Sequence, residues 1–362
     1  MSQPHLGICM AGGVAVALLV TPTFARAQYL VIADDNKLHW DDAGKVILTE
    51  PGKDEVVIVD IKVPGSPKIA ATLPLANTVI GPPTNVAITP DEGLALVANS
   101  LAYQQDGAGW KSVPETKVIV IDLKSMPAKQ ISTVEVGKQP SGLAINKAGT
   151  LALVANRADA SVSVLSIKGQ EVKLVDTLPM TDPVAAVAFT PDGKHALVAK
   201  YTVNKVSLLN IDGDKVIDGK ADIAVGPFPY NVQVTADGRY ALTANQHNGG
   251  VADGGAGSVS VIDLRASPPH AVDHLGVGPS PEGLDVSPRG NLAVALALNG
   301  SGAVPKDAWF ARPNTIIELL STEGGKVRKV GSVKAGGLAG EQIFVTDLEG
   351  GSAEIARRRH LR

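Results

Sequence analysis

Short apolar runs recur along the chain in a fixed order, separated by turns rich in Gly, Pro and Asp. The phrase PTNVAITPDEGLALVAN at residues 83–99 returns as PSGLAINKAGTLALVAN at residues 140–156, and altered copies begin at Pro183, Pro229 and Pro281. Repetition at a fixed period indicates stacked copies of one supersecondary unit. The pattern therefore predicts a repeat architecture.

Each copy predicts four β-strands. An alternating run such as residues 86–88 leads into a tight turn, where Asp or Asn bonds the turn backbone and Gly takes a positive φ. The next run, such as residues 94–97, is apolar on both faces, which indicates a strand buried between two layers. A β-branched run such as residues 118–123 and a weaker fourth run complete the unit. Four antiparallel strands per repeat form one propeller blade.

The spacing of the turns sets the number of blades. The turns end at Gly93, Gly149, Gly193, Gly238 and Gly290, which are 44 to 56 residues apart. A degenerate earlier copy has its turn at Gly44, and another copy begins near Ile343. We therefore predict an all-β propeller of about seven four-stranded antiparallel blades over residues 28–348, with an open solenoid as the alternative.

The last blade is predicted to be incomplete. After Gly337 the repeat gives way to Glu-Gly-Gly-Ser at residues 349–352 and then to Arg357-Arg-Arg359. An unfinished blade leaves strand edges unpaired, so this pattern predicts an open or weakened seam. Residues 349–362 are expected to form an irregular basic tail.

The first 27 residues differ from the repeats and resemble a secretory signal peptide. Residues 10–20 are apolar, and Ala25-Arg-Ala27 offers a cleavage site. The single cysteine, Cys9, lies within this segment, and the bulky Ile8 before it argues against lipidation. We expect a cysteine-free product in the periplasm or secreted, with no membrane span in the mature chain.

Composition excludes several functional classes. The formal net charge is −3 and none of the five clear repeats is basic, which argues against a nucleic-acid partner. No glycine-rich phosphate loop opens a helix, and no Ser, His and Asp arrangement of a hydrolase is apparent. No cofactor is predicted, and the expected partner is a small molecule or another protein.

The repeat resembles a known family. The Pro-Asp-Gly turn, the apolar strand ending in Val-Ala-Asn and the strand Val-Ser-Val-Ile-Asp are similar to the YVTN repeat of bacterial propellers, part of the lactonase-like seven-bladed group. The resemblance covers about residues 32–333. It implies a propeller whose relatives include sugar-lactone hydrolases, muconate cyclases and exported binding proteins.

Three long connections are predicted to crown one face. They join the second and third strands of their blades at residues 99–118, 245–259 and 299–316. Binding groups concentrate on long loops held by a rigid scaffold. The predicted ligand-binding residues are Trp110, Tyr230, Asn231, Asn245, His247, Trp309 and Phe310.

Structural roles compete with these assignments. Trp110, Trp309 and Phe310 could equally pin their loops onto the ring. Asn245, like Asn99 and Asn156, ends a buried strand, where its side chain could bond the turning backbone instead of a ligand.

Three residues are candidates for catalysis. His247 is the only histidine on the crowned face, and Glu282 could act as a general base or as an ionic partner of Arg312. The lactonase resemblance implies charged and imidazole groups in this place. His270 and His274 have the spacing of a helical metal motif, but on a strand they are about 13 Å apart, so no metal site is predicted.

The sequence thus favours an exported propeller that binds a small molecule or a partner protein through one loop-rich face. The alternatives are a lactonase-like enzyme that hydrolyses or forms a cyclic ester, and an accessory subunit of a periplasmic redox enzyme.

Overall fold

The computed structural model describes residues 28–63, 65–78, 84–250, 253–301 and 304–336. The predicted signal peptide with Cys9, the predicted incomplete blade after Gly337 and the basic tail lie outside these residues. Within the described part of the chain, no helix has the length and apolar character needed to cross a membrane.

The described residues form seven antiparallel sheets, of which six follow one another as blades. Blade 1 contains β1 (Tyr29–Asp34), β4 (Glu55–Asp60) and β5 (Lys68–Leu73), with the separate hairpin β2 (Leu38–Trp40) and β3 (Val46–Leu48). Blade 2 contains β6 (Val86–Ile88), β7 (Leu94–Asp106), β8 (Gly109–Asp122) and β9 (Lys129–Glu135). Blade 3 contains β10 (Pro140–Ile145), β11 (Leu151–Asn156), β12 (Ser161–Lys168) and β13 (Glu171–Pro179).

Blade 4 contains β14 (Val184–Phe189), β15 (His195–Lys200), β16 (Lys205–Asp212) and β17 (Lys215–Ala224). Blade 5 contains β18 (Pro229–Val234), β19 (Tyr240–Asn245), β20 (Ser258–Asp263) and β21 (His270–Gly276). Blade 6 contains β22 (Pro281–Val286), β23 (Leu292–Ala297), β24 (Asn314–Ser321) and β25 (Arg328–Gly336), with a 3₁₀ helix at Glu323–Gly325.

Blades 2 to 6 are each four strands paired in sequence order, and their innermost strands contact one another in succession from β6 to β22. This arrangement confirms the predicted all-β propeller of four-stranded antiparallel blades. The second strands of blades 3 and 5 are buried on both faces, as their continuous apolar runs predict: every residue of β11 and of β19 is buried.

The core lies between the blades. One apolar cluster joins Leu151 and Leu153 of blade 3 to Val184 and Val198 of blade 4. Small residues let the innermost strands approach closely, since a Cβ on Gly142 would lie 2.4 Å from the Cα of Ala186. The ring is therefore held by aliphatic packing between neighbouring sheets.

Blade 1 differs from the sequence prediction. Gly44 was predicted to end the hairpin turn between its first two strands, but β1 pairs directly with β4. The β2–β3 hairpin that contains Gly44 is consequently an insertion between two paired strands. The prediction was wrong because Asp-Ala-Gly is equally suited to any tight hairpin turn.

The connection at residues 99–118 was predicted as a long loop, but most of it is a two-stranded ribbon. β7 and β8 remain paired as far as Asp106 and Gly109, and Gly107 takes φ 61° at the tip. Three connections join the second strand of a blade to its third strand: the ribbon, residues 246–257 and residues 298–313. They therefore belong to one face of the propeller, which we call the crown face. On this face Lys306 N donates to the backbone oxygen of Asp42 at 3.1 Å, which joins blade 6 to the blade 1 hairpin.

Candidate functional site

Five side chains from four successive blades form a group that we call the rim arc: Arg157, Tyr201, Tyr230, Gln246 and Glu282. Three of them directly follow the second strands β11, β15 and β19, and two are the second residues of the first strands β18 and β22. The start of each first strand pairs with the end of the second strand of its blade, as in Pro229 with Asn245. The repeat thus brings both positions to the crown-face end of the innermost strands.

A guanidinium group stacked on two aromatic rings lies at one end of the rim arc. Arg157 Cζ is 4.9 Å from the centre of the Tyr201 ring and 5.2 Å from that of Tyr230, and the two rings meet edge to face at 5.8 Å. Phe228 adds a third ring, 5.5 Å from Tyr201. Stacking on the two rings fixes the plane of the guanidinium.

The hydrogen-bond donors of Arg157 are not saturated. Its Nε and Nη2 atoms are buried and have no hydrogen-bond partner, while the side chain as a whole is partly exposed. An unpaired buried donor on a charged group is costly, and native structures normally satisfy it with protein, water or a ligand. The rim arc therefore has unused capacity to bind an oxyanion.

A chain of two hydrogen bonds connects the aromatic part of the rim arc to a carboxyl group. Tyr201 OH donates to Gln246 Oε1 at 2.6 Å, and Gln246 Nε2 donates to Glu282 Oε1 at 2.7 Å. Gln246 is 3% exposed and Glu282 is 6% exposed. Both amide atoms of Gln246 are thus used, and its orientation is fixed by a donor on one side and an acceptor on the other.

Burial determines the protonation of Glu282. Desolvation raises the pKa of its carboxyl group to about 7, while the hydrogen bond from Gln246 and the positive charge of Arg157 act in the opposite direction. A carboxyl group with such a pKa exchanges a proton near neutral pH. The rim arc therefore combines a cation, stacked rings, a fixed amide and a carboxyl group that can hold or release a proton.

The predicted site residues Tyr230 and Glu282 lie in the rim arc, and Asn231 lies next to it. Asn231 is 1% exposed and its Nδ2 donates to the backbone oxygen of Glu282 at 3.2 Å, which joins blades 5 and 6. The cation that acts on the Glu282 carboxyl is Arg157. Arg312, proposed from sequence as its ionic partner, is exposed and donates instead to the carbonyl oxygens of Trp309 and Ala311.

Asn245 holds blade 5 together. Its Nδ2 donates to the hydroxyls of Ser258 and Ser260 at 3.1 and 2.8 Å, and its Oδ1 accepts from Thr243. Asn156 bonds Ser161 and Ser163 in the same way. From the sequence, we considered that these asparagines bond the turning backbone instead of a ligand. Their role is structural, as that alternative states, but their partners are two serines of the third strand and not the backbone.

His247 follows Gln246 but is exposed and belongs to the loop. It has φ 76°, and its Nε2 is 3.9 Å from Asp253 Oδ2. Asp253 also accepts from Asn248 Nδ2 at 3.0 Å and from the backbone N–H of Gly255 at 2.8 Å, so it anchors this loop. The structure places His247 in a loop-stabilising cluster beside the rim arc.

The loop aromatics form a separate region. Trp309 is 77% exposed and meets Phe310 edge to face at 5.3 Å, while a Cβ on Gly254 would lie 2.9 Å from the Trp309 ring. A cavity of only about 10 Å³ lies between Gly254 and Phe310, where these two loops meet. Trp110 lies near the tip of the blade 2 ribbon, paired with Gln105.

Sequence reasoning missed Arg157 and Tyr201. Both lie in the short connections of blades 3 and 4, whereas long insertions were taken as the sign of a site. Aligning the repeats finds them, because Arg157, Tyr201 and Gln246 all occupy the position after the second strand. Among the residues that the structure describes, no group of three His, Asp or Glu side chains is arranged to hold a metal ion.

Comparison with known proteins supports the lactonase-like resemblance. The family described as "Lactonase, 7-bladed beta-propeller" matches residues 111–229, which include Arg157 and Tyr201. The resemblance to lactonase-like seven-bladed propellers, stated from the repeat, is thereby confirmed. No curated protein matches the chain.

Solved structures share the fold at low sequence identity. A functionally unknown protein from Desulfotomaculum acetoxidans has a TM-score of 0.61 and 16% identity, over 81% of this chain and 80% of that one. A putative 6-phosphogluconolactonase from Bacteroides uniformis has a TM-score of 0.62 and 12% identity, over 86% and 89%. Hydrazine synthase from Kuenenia stuttgartiensis has a TM-score of 0.54 and 18% identity, over 75% and 71%.

Proposed function

We propose that this propeller binds a small hydroxylated organic acid, of the sugar-acid class, at the rim arc. The observation that carries the proposal is the Arg157 guanidinium, which is stacked between two tyrosine rings with buried N–H groups that have no partner. A carboxylate would accept hydrogen bonds from this group. Hydroxyls would meet the Gln246 and Glu282 side chains, and the carbon skeleton would cover the tyrosine rings.

The chemistry of the rim arc favours a small ligand over a protein partner. Tyr230, Gln246 and Glu282 are buried, Arg157 and Tyr201 are partly exposed, and the five residues converge from four blades, whereas a protein interface would need a broad exposed surface. Similarity to a putative 6-phosphogluconolactonase agrees with a sugar acid or its lactone. We extend the proposal to an exported protein that meets this ligand outside the cytoplasm, as residues 1–27 predict.

Calorimetric titration with D-gluconate tests the proposal. Arg157→Met keeps the apolar stem but removes the charge, and we expect it to weaken binding by roughly ten- to a hundredfold, the value of a charged hydrogen bond. Arg312→Met is the matched control, because Arg312 is an exposed crown-face cation that donates to the carbonyl oxygens of Trp309 and Ala311 in its own loop. It should leave the affinity unchanged.

The proposal fails if gluconate does not bind, or if the two methionine variants weaken it equally. Equal weakening would mean that the positive charge of the whole face, and not the rim arc, attracts the anion. Circular dichroism and thermal melting of each variant establish that the fold is retained.

A second function, hydrolysis of a cyclic ester, is favoured by the raised pKa of Glu282. The Glu282 carboxylate would take a proton from water as the water oxygen attacks the lactone carbonyl. The ring C–O bond would then break, and the proton would pass to the departing alkoxide oxygen to give the open hydroxy acid. Arg157 would stabilise the negative charge on the carbonyl oxygen.

Hydrolysis of D-glucono-δ-lactone, followed against the spontaneous rate, tests this second function. The account expects a rate that rises with pH through about 7 as Glu282 ionises and that disappears in Glu282→Gln. If the rate of wild-type protein equals the spontaneous rate while gluconate binds, the protein is a binding protein.

An accessory role beside a redox enzyme remains the third proposal. Its support is the likeness in fold to hydrazine synthase, at 18% identity. Purification from native membranes and periplasm with a redox enzyme attached would favour it, and purification as a single species would oppose it.

A further inference from the structure

The chain contains two Asn-Gly dipeptides, and both lie in crown-face connections. They are Asn248-Gly249 in the connection of blade 5 and Asn299-Gly300 in that of blade 6. Glycine carries no side chain, so its backbone nitrogen can approach the side-chain carbonyl carbon of the preceding asparagine. Such a pair is chemically labile, because it can close a cyclic imide with loss of ammonia. The surroundings of each pair decide whether the ring forms.

The surroundings of Asn248 allow this reaction. The residue is exposed, and its Nδ2 donates to Oδ2 of Asp253 at 3.0 Å, a bond between two exposed side chains that water can replace. The backbone N–H of Gly249, which would attack, donates to no acceptor among the residues that the structure describes. Gly249 and Gly250 take φ of 59° and 80°, and a run of two glycines rotates without hindrance from a Cβ.

Asn299 has the same neighbour in the sequence but a fixed environment. It is only partly exposed, and its Nδ2 donates to the backbone oxygen of Asn314 at 3.1 Å. Gly300 is buried, its backbone oxygen accepts from Arg312 N at 3.0 Å, and a Cβ added to it would lie 2.3 Å from the backbone oxygen of Phe310. Ring closure requires the side chain and the peptide to rotate together, and here that rotation breaks both hydrogen bonds. The structure therefore protects the second pair.

We propose that Asn248 is a site of covalent self-modification, at which the side-chain amide converts to aspartate and isoaspartate. The Gly249 nitrogen gives its proton to a water-derived base and bonds to Cγ of Asn248. The Cγ–Nδ2 bond then breaks, and the nitrogen takes a proton from solvent and leaves as ammonia. One water molecule opens the imide at either carbonyl carbon, which gives aspartate or isoaspartate. Water is the only co-reactant, and the proposal does not depend on the function of the rim arc.

The modification changes the contact that anchors the loop. A carboxylate at position 248 replaces an N–H donor and faces the carboxylate of Asp253, so a hydrogen bond becomes a repulsion between like charges. The same loop contacts the aromatic rings beside it, because a Cβ on Gly249 would lie 3.3 Å from the Phe228 ring and 3.6 Å from the Tyr201 hydroxyl. Modification of Asn248 therefore loosens the loop next to these rings.

Peptide mapping by mass spectrometry, after incubation of the folded protein at mildly alkaline pH, tests this site. We expect Asn248 to convert at least about tenfold faster than Asn299, because the protected pair reacts only after local opening. Both aspartate and isoaspartate should appear at position 248, since the imide opens at either carbonyl. In protein unfolded by urea the two pairs should convert at similar rates, which would attribute the difference to the fold.

Two variants isolate the mechanism. Gly249→Ala places a methyl group beside the attacking nitrogen and should slow the conversion of Asn248 by about tenfold or more. Gly107→Ala is the matched control, because Gly107 is a positive-φ glycine at the tip of the blade 2 ribbon, and it should leave the rate unchanged. Circular dichroism establishes that both variants fold.

Four outcomes would each overturn the proposal. They are retention of the amide at Asn248 under conditions in which the unfolded chain converts, equal rates at Asn248 and Asn299 in the folded protein, aspartate without isoaspartate, and an unchanged rate in Gly249→Ala.

Discussion

The last residue of the second strand has a different task in different blades, set by what faces it. Asn156 and Asn245 each bond two serine hydroxyls of the neighbouring strand. In blade 4 this position is Lys200, whose ammonium group is 3.1 Å from Asp222. In blade 2 it is Asn99, which lies opposite Lys117 and not opposite a serine. One position of the repeat thus supplies hydrogen bonds between strands in two blades and an ion pair in a third.

A pair of alanine substitutions tests this difference. Asn156→Ala loses two buried hydrogen bonds, to Ser161 and Ser163, so we expect it to lower the free energy of unfolding by about 2–3 kcal/mol. Asn99→Ala removes a side chain that makes no hydrogen bond to the described residues, and we expect a loss of less than about 1 kcal/mol. Urea unfolding of both variants provides the measurement, and equal losses would contradict the assignment.

Glu282 should make stability depend on pH. Its carboxyl has a pKa of about 7 in the folded protein, against an ordinary value of 4.5. Between these values the folded state binds a proton that the unfolded state has released, so the contribution of Glu282 to stability falls as pH rises. The difference between the two pKa values corresponds to about 3 kcal/mol in the free energy of unfolding.

Glu282→Gln removes this dependence. We would measure the free energy of unfolding in urea at pH 5, 6, 7 and 8. As pH rises, the value for the variant should increase relative to that of the wild-type protein by up to about 3 kcal/mol. Glu171→Gln serves as the control, since Glu171 is exposed. A constant difference between variant and wild type across this range would show that Glu282 ionises at ordinary pH values.

At the scale of strands, the innermost strands of neighbouring blades approach so closely that one contact position must be glycine. A Cβ on Gly142 of β10 would lie 2.4 Å from the Cα of Ala186 and 2.6 Å from the backbone oxygen of Ala185. Both obstacles are on the backbone of the next blade and cannot rotate away. Gly276 at the end of β21 has no atom within 4 Å of the same position.

These two glycines give a matched prediction. Gly142→Ala should force β10 and β14 apart and cost about 2–3 kcal/mol or more, as overpacking of a dense core does. Gly276→Ala should change stability by less than about 1 kcal/mol. Thermal melting distinguishes them, and a melting temperature for Gly142→Ala equal to that of Gly276→Ala would refute the close approach of the strands.

The strands that the sequence predicts best are those whose signal is local. The Gly93, Gly149 and Gly193 turns and the apolar runs after them locate the first two strands of blades 2, 3 and 4, because turn chemistry and burial leave a mark within a few residues. The ribbon over residues 99–118 was not predicted. Its polar tip resembles a loop, and the pairing that makes it a ribbon occurs between its own two strands.

The rim arc was only partly predictable for a related reason. Tyr230 and Glu282 follow the prolines that begin a repeat and were recognised, whereas Arg157 and Tyr201 occupy short, inconspicuous connections. Their importance arises from contact between blades, through the stack on two rings and the chain of bonds to Glu282. No single repeat contains that information.

At the scale of the whole molecule, the ring converts two repeated positions into a site made from several blades. The scaffold supplies the same backbone position around its axis, and substitutions there place a cation, aromatic rings, an amide and a carboxyl side by side. Long loops lie farther out, where Trp309 and Phe310 pack against the neighbouring loop. The account therefore assigns ligand chemistry to the inner rim and not to the loop aromatics.

A structure of crystals soaked in D-gluconate tests that assignment most directly. The account predicts density for the ligand carboxylate against the guanidinium of Arg157, beside the rings of Tyr201 and Tyr230, with a hydroxyl in contact with Glu282. Gluconate seated against Trp309 and Phe310, or an empty rim arc at a concentration that saturates binding in solution, would contradict it.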